Sequence, residues 1–270
     1  MASKTGYLME NSEEAIRLEI KTDPEKVREE ARWCGITPGS SVLDAGCGPG
    51  KTSSILFDMV RPHGAVLGLD YSPECIAYAD RHYRCEPGLR FDLHDLRHSP
   101  ERYSARFDFA WARFVLEYNR AESLQIVRNL KECLKPGGTI CLIDLDCNCQ
   151  GHFELPEGMS EVMEKIMRRL DERFNFDTYA GRKLYAYLYD AGFEDIRADL
   201  RAHHLIYGKI REEDLFNWTK KVEMAVRRMP DLFAQYPGGT AAFERNFRSF
   251  FLDPRRFTYT PMVMVKGRKA

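Results

Sequence analysis

Residues 42–50 read Val-Leu-Asp-Ala-Gly-Cys-Gly-Pro-Gly, and no other stretch narrows the possible folds as much. Apolar residues fit for a buried strand lead to Asp44. Gly46, Gly48 and Gly50 follow at alternate positions, and a helical run begins at Lys51. Glycines so placed let the backbone turn sharply and let a ligand approach it without meeting a Cβ. The helix start beyond them offers free N–H groups and the positive end of a dipole, a natural seat for an anion or a carboxylate.

Strands and helices alternate after this loop. Short apolar runs at 41–44, 65–70, 89–93, 107–111 and 139–145 read as strands. Helices are expected from Lys51 to Met59, from the Ser72-Pro73-Glu74 start to Arg84, and from Glu122 to Leu134, where Lys135-Pro136-Gly137-Gly138 stops the last of them. Ser72 caps its helix, with proline at the favoured first position. Continuous rather than alternating apolar runs indicate a parallel sheet covered on both faces, hence an α/β, doubly wound fold. Residues 13–34 read as two amphipathic helices broken at Thr22-Asp23-Pro24, where Asp23 can cap.

Composition excludes several classes. With 270 residues and a net charge of -1, the chain has no basic excess that would mark a nucleic-acid binder. No apolar run approaches the roughly 18 residues of a membrane span. Residues 1–7 lack the apolar core of a signal peptide, so a cytoplasmic protein is expected. The eight cysteines show no paired CxxC spacing and read as small buried hydrophobes in a reducing compartment.

In such a sheet, ligands bind at the carboxyl ends of the strands. Asp70 stands there, twenty residues beyond Gly50, the spacing at which an acidic side chain accepts hydrogen bonds from ribose hydroxyls. An adenosine-containing cofactor is implied. A dinucleotide loop runs GxGxxG, but this one runs GxGxG with Asp44 two residues ahead, a better neighbour for an ammonium group than for a pyrophosphate. Together with GLDYS, FDLHDL, FDFAWARFVLEY and LKPGG, in that order between Ser40 and Leu145, the loop resembles the class I S-adenosylmethionine-dependent methyltransferases.

The resemblance implies a seven-stranded, mostly parallel Rossmann-like sheet and a role for each matching position. The loop of Gly46, Cys47, Gly48 and Gly50 would wrap the methionine part of the cofactor. Asp70 would hold the ribose, Tyr71 would lie on the adenine, Asp95 would accept from the adenine amino group, and the Leu96 N–H would serve a ring nitrogen. The Ala112-Arg113-Phe114 turn would close over the methionine end. S-adenosylhomocysteine would be the product. RFVLEY and LKPGG are shared with quinone and sterol carbon methyltransferases and many secondary-metabolite enzymes, so O-, N- and C-methylation stay open. Methyltransferases of exocyclic base amines carry (D/N/S)PP(Y/F) where this chain has Ala112-Arg113-Phe114-Val115.

No catalytic base is identified; the weak candidates are Arg113, Glu117, His203 and His204. Arg113 and Glu117 could equally form a surface pair four apart on a short helix, and His203-His204 falls in an alternating strand, where one of the two faces each way. Asp144-x-Asp146-x-Asn148 resembles hard-cation ligands but reads better as a strand end, so no metal is expected. A catalytically silent cofactor binder and, less favoured, a nicotinamide-dependent oxidoreductase are the alternatives.

The chain beyond residue 150 carries the substrate information. Helices are expected at 159–174 and 179–191, the second with a tyrosine-rich face and Gly192 as its stop; a sixth strand covers 196–207 and a last, antiparallel strand 259–266. Between these strands lie about forty helical, aromatic-rich residues where a connection of roughly 2 to 6 is usual. The division is one domain: a helical cap at 1–38, a core at 39–207, a helical insertion at 208–257 that is a lid or a satellite core, and a closing strand at 258–270. The expected partner is a small, largely apolar or aromatic acceptor; a homodimer is allowed, and neither nucleic acid nor a membrane span is expected.

Overall fold

A computed structural model describes residues 22–270, so the first of the two helices expected in residues 13–34 lies outside the described part. Helix α1 (Pro24–Cys34) is capped by Asp23, whose side chain accepts from the N–H groups of Glu25 and Lys26. Then come β1 (Ser41–Ala45), α2 (Lys51–Val60), β2 (Ala65–Asp70), α3 (Pro73–Tyr83), β3 (Leu89–Leu93), β4 (Phe107–Arg113), α4 (Ser123–Cys133) and β5 (Leu134–Leu145). The Ser72 hydroxyl accepts from Cys75 N–H at the start of α3, as its sequence predicts. β5 begins at Leu134, the last residue expected in the helix, and runs through the expected stop signal: Leu134 pairs with Phe107, and regular pairing resumes at Thr139 after a register shift.

The spatial order is β3-β2-β1-β4-β5, with parallel pairing throughout. The chain continues through β6 (His152–Phe153), α5 (Met159–Arg173), α6 (Leu184–Asp190) and β7 (Glu194–Tyr207). Helices α7 (Glu212–Arg228), α8 (Pro230–Ala234) and α9 (Gly239–Leu252) precede β8 (Phe257–Arg268). β8 runs antiparallel between β5 and β7, and its first residues also pair with β6. The sheet thus has eight strands where seven are expected. The extra one, two residues long, is too short to leave a periodic pattern.

Helix α6 is also shorter than the sequence predicts, because a 3₁₀ turn at Gly181–Lys183 precedes it. Gly181 sits where a Cβ would lie 2.9 Å from Val263 Cγ2 and 3.1 Å from the Asp144 carbonyl, which fixes the turn against the sheet. Tyr185 and Tyr189 face solvent, whereas Tyr179 lines a pocket beyond the carboxyl end of β5. Gly192 ends this segment with φ +70°.

Three apolar clusters hold the molecule together. One lies between the sheet and α4 and α6, built on Leu116, Ile126, Leu130 and Leu184. A second packs α1, α2 and α3 on the opposite face through Ala31, Leu56, Ala79 and Trp111. The third is separate from both and joins α5 to the helical insertion through Met163, Trp218, Phe233, Phe243 and Phe251. Most of the insertion's aromatics are therefore buried in a core of their own, while Phe216 stays exposed. One cysteine reading is corrected: Cys34 of α1 and Cys141 of β5 are joined by a disulfide with Cα atoms 6.2 Å apart. Their separation of 107 residues leaves no local spacing to read.

Candidate cofactor cradle

The chain changes direction across the sheet between β1 and β4, and the glycine loop opens there, at the carboxyl end of β1. The N–H groups of Gly46 and Cys47 both donate to the Leu69 carbonyl, at 2.8 and 3.0 Å, which pins the loop to the end of β2. Gly46 and Gly50 have φ of +75° and +92°, the left-handed region that side chains rarely adopt. A Cβ on Gly46 would lie 2.5 Å from Val115 Cγ2, and one on Gly50 would lie 2.8 Å from Ala79 Cβ. Gly46→Ala is therefore expected to destabilise the fold by about 1–3 kcal/mol through overpacking. Adding Val115→Ala should recover the steric share of that loss in urea denaturation. An unshifted midpoint for Gly46→Ala would contradict this packing.

Two carboxylates flank the loop. Asp44 is 2% exposed and accepts from the Ser53 hydroxyl at 2.5 Å. Burial pushes its carboxyl up to about 7, opposed by the Ser53 hydrogen bond, raised further by Asp70 and lowered by Arg113. Asp70 Oδ2 accepts from Gly48 N–H and Oδ1 from Ser72 N–H, both at 2.9 Å. A carboxylate offers about four acceptor positions, so these two backbone bonds still allow contacts to a pair of hydroxyls. Tyr71 next to it is 45% exposed, as a face that meets a ligand must be.

The other expected cofactor contacts are placed less simply. Asp95 is forked by Arg97, with Nη2 at 2.6 Å and Nε at 2.9 Å, which holds its carboxyl below the usual range. An adenine amino group there would share the carboxylate with a guanidinium. The Leu96 carbonyl accepts from Asn129 Nδ2 at 2.8 Å, which anchors the turn to α4. Ala112 is buried in the core beneath the turn.

Arg113 and Glu117 are not a surface pair. Arg113 ends β4 and donates from Nε at 2.7 Å and Nη2 at 3.3 Å to the two carboxylate oxygens of Glu30 in α1, with both side chains almost wholly buried. Its guanidinium also lies 4.2 Å from the Phe114 ring centre. Glu117 is buried too, and accepts from Asn148 Nδ2 at 3.0 Å. Its N–H and that of Leu116 donate to Asp144 Oδ2, while burial and the nearby Glu117 push the Asp144 carboxyl well up. Asp146 is instead forked by Arg182, so it turns away from Asp144 and Asn148, which both bond Glu117. Among the described residues, no three His, Cys, Asp or Glu side chains gather as a metal site.

The histidine pair departs from strict alternation. A register shift between Ala202 and His204 marks a β-bulge, and the two rings lie 4.3 Å apart rather than on opposite faces. His203 packs against Phe114 at 4.8 Å, beside the turn after β4, while His204 faces Trp218 at 5.6 Å and Thr260 Oγ1 at 3.4 Å. His203 thus joins Arg113 beside the turn expected to close over the methionine end.

Beyond the carboxyl end of β5 lies a pocket of about 560 Å³, lined in part by Cys149, Leu155, Met163, Met167 and Thr178. Its back wall is tied to Glu117 through Asn148, whose N–H donates to the Thr178 carbonyl. Sequence reasoning missed Ser53, Glu30 and Val115. Glu30 alone left a signal: it interrupts the buried stripe Val27, Ala31 and Cys34 on α1.

A family described as "Methyltransferase domain" matches residues 36–192, more than half of the chain. The chain belongs to that family. It is 26% identical over 209 residues to juvenile hormone acid O-methyltransferase of Drosophila melanogaster, covering 73% of this chain and 68% of that protein. It is 30% identical over 156 residues to a 37.1 kDa transposon protein of Streptomyces fradiae, covering 58% of this chain but only 44% of the relative. Among solved structures, phosphoethanolamine N-methyltransferase 2 of Haemonchus contortus, crystallised with phosphomonomethylethanolamine and S-adenosylhomocysteine, superposes with a TM-score of 0.59 at 15% identity. That superposition covers 94% of this chain and 56% of the other. The family and the Rossmann-like α/β class drawn from the sequence both hold for this methyltransferase domain. No helix among the described residues is long and apolar enough to cross a membrane.

Proposed function

We propose that this methyltransferase domain binds S-adenosylmethionine in the glycine cradle and transfers its methyl group to a small-molecule acceptor. The observation that supports this best is the arrangement of Asp44, Asp70 and the loop around Gly48. One carboxylate is buried beneath the loop, and the other binds its central N–H. Bound S-adenosylmethionine would supply an activated methyl on sulfur. The tasks left to the chain are to hold, align and exclude water, and orientation alone contributes about 7 kcal/mol or more in favourable cases. Asp70 and Tyr71 would hold the adenosine half, and Asp44, directly or through water, the ammonium group. Phe114, fixed by Arg113 and His203, would shield the methionine end.

The acceptor side is assigned to the lid. The α5–α9 cluster closes over the carboxyl end of β7, where Trp218 meets His204, and the adjoining pocket sets Leu155, Met163 and Met167 against Glu164, Arg168 and Asp171. We therefore assign an acceptor that joins an apolar or aromatic body to a polar or charged group. The relative that acts on an acid makes a carboxylate the first acceptor to test, because a carboxylate needs no general base. The experiment incubates the protein with methyl-labelled S-adenosylmethionine and matched sets of apolar carboxylic acids, phenols and amines. Labelled product from one class supports the reading. Cofactor binding with no transfer to any class would favour a silent binder.

The pH dependence of binding follows from Asp44. Its folded value near 7 lies above its ordinary 3.8, so below pH 7 the carboxyl is protonated and cannot pair with an ammonium group. Cofactor affinity is expected to rise roughly tenfold per pH unit up to 7 and then level off, since one unit is about 1.4 kcal/mol. The same shift acts on stability in the opposite sense. The contribution of this carboxyl is fully present below pH 3.8 and is lost as pH rises through 7. Calorimetric titrations between pH 5.5 and 8.5 read the first effect. A flat profile would show that Asp44 does not meet the ammonium group.

A further inference from the structure

The paired ends of β6, β7 and β8 present two unlike faces. On one, His204, Ile206, Thr258 and Thr260 are buried towards the helical insertion. On the other, register places Phe153 beside Phe257, Phe257 beside Tyr207, and Leu205 beside Tyr259, so these five side chains share one continuous surface. The Ala202/His204 bulge brings Leu200 onto the same face further along β7. All six are exposed, Tyr207 at 66% and Phe153 at 59%. Tyr207 and Phe257 are stacked, with ring centres 6.4 Å apart and planes inclined by 17°. Helix α6, seven residues long, covers this face only near Val263 and Val265.

We infer that this aromatic sheet face is where a second copy of the chain docks. Aromatic side chains present about 150–250 Å² each and leucines less, and these four aromatics and two leucines leave roughly half of their area to solvent, or about 500 Å² per copy. Monomers rarely expose more than a few hundred Å² in one apolar patch. Two such faces would bury about 1,000 Å² at their centre, the size at which specific association begins, before any polar rim is counted. A flat face of tyrosine and phenylalanine also has the composition of an interface core. Charge argues against a lipid surface as the occupant. Arg255 and Arg201, which flank the patch in sequence, are engaged with Glu154 and Asp199 at 2.9 and 2.8 Å, and Arg256 beside Phe257 is buried. A membrane-surface patch uses such cations to meet anionic headgroups.

Docking there would back the β7–β8 wall whose other face carries His204 and Thr260, so assembly would stiffen the acceptor side of the domain. Sedimentation velocity of the full chain from 1 to 100 µM is the test. The expected mass is about 63 kDa, twice the chain's 31.3 kDa. Tyr207→Asp with Tyr259→Asp should return it to a single chain without loss of the thermal transition, since both side chains stand in solvent. Tyr185→Asp with Tyr189→Asp, on the exposed side of α6, should leave the dimer intact. A wild-type monomer throughout the range would overturn the inference, as would a dimer that survives the Tyr207 and Tyr259 changes. A monomer that pellets with phosphatidylglycerol vesicles would also overturn it, in favour of a lipid surface.

Discussion

Asp70→Ala is expected to weaken S-adenosylmethionine binding by more than the loss of its ribose contacts alone. Two hydroxyl bonds to a charged acceptor account for about 1.5–3 kcal/mol, or roughly 10- to 150-fold in affinity. The same carboxylate accepts from the Gly48 and Ser72 N–H groups, so its removal also frees the middle of the loop and the entry to α3. Asp70→Asn separates the two contributions. An amide keeps one acceptor oxygen but turns an N–H towards one of the two backbone donors, so the loop is disturbed while the side-chain volume is kept. Affinity should fall for both variants, further for alanine, while the global unfolding midpoint moves little for either. Equal affinity for Asp70→Ala and the wild type would remove the ribose anchor from the account.

The second large effect concerns Glu30. With side-chain exposures of 2% and 9%, Glu30 and Arg113 form a buried ion pair, and deleting one partner strands the other charge away from water. Glu30→Ala should cost about 3–5 kcal/mol of stability, a large part of what a domain of this kind has. Glu30→Met combined with Arg113→Met should be far milder, because an apolar pair of similar volume leaves no uncompensated charge. The pair also binds α1 to the end of β4, where Arg113 faces the Phe114 ring, so Glu30→Ala should loosen the turn over the cradle. Urea denaturation of the three variants checks the order. A double variant as unstable as Glu30→Ala would show that the pair matters through something other than charge burial.

The contrast between these residues explains what the sequence could disclose. Asp70 is readable because its role depends on a short, ordered spacing: strand, alternate glycines, helix, strand, acid. The bounds of β2 were equally readable, since a buried parallel strand is a continuous apolar run closed by turn residues, while β3 at the sheet edge alternates in burial and still spans the expected residues. The partner of Arg113 lies 83 residues away on another element, and no local pattern encodes that distance. The same holds for Glu117 with Asn148, for Asp144 with the N–H groups after β4, and for Cys34 with Cys141. The histidine pair failed differently. Alternation was the correct rule for the strand, and a single inserted residue at the bulge broke it. Asp95 keeps its expected place after β3, but its neighbour Arg97 competes for it, a contact two residues away that its charge alone could have announced.

The acceptor side was the least readable. Its aromatics follow helical spacing and fill a separate core, and a residue that packs looks in sequence like a residue that binds. The family match ends at residue 192, before the insertion begins, so it brings no pattern to bear on those helices.

The cradle itself is open to one direct measurement. Isothermal titration of the full chain with S-adenosylhomocysteine and, separately, with NADH asks whether the loop from Gly46 to Gly50 holds a sulfur-linked adenosine or a dinucleotide. The account predicts one-to-one binding of S-adenosylhomocysteine that Asp70→Ala weakens at least tenfold, and no heat from NADH. Binding of NADH together with silence for S-adenosylhomocysteine would contradict it.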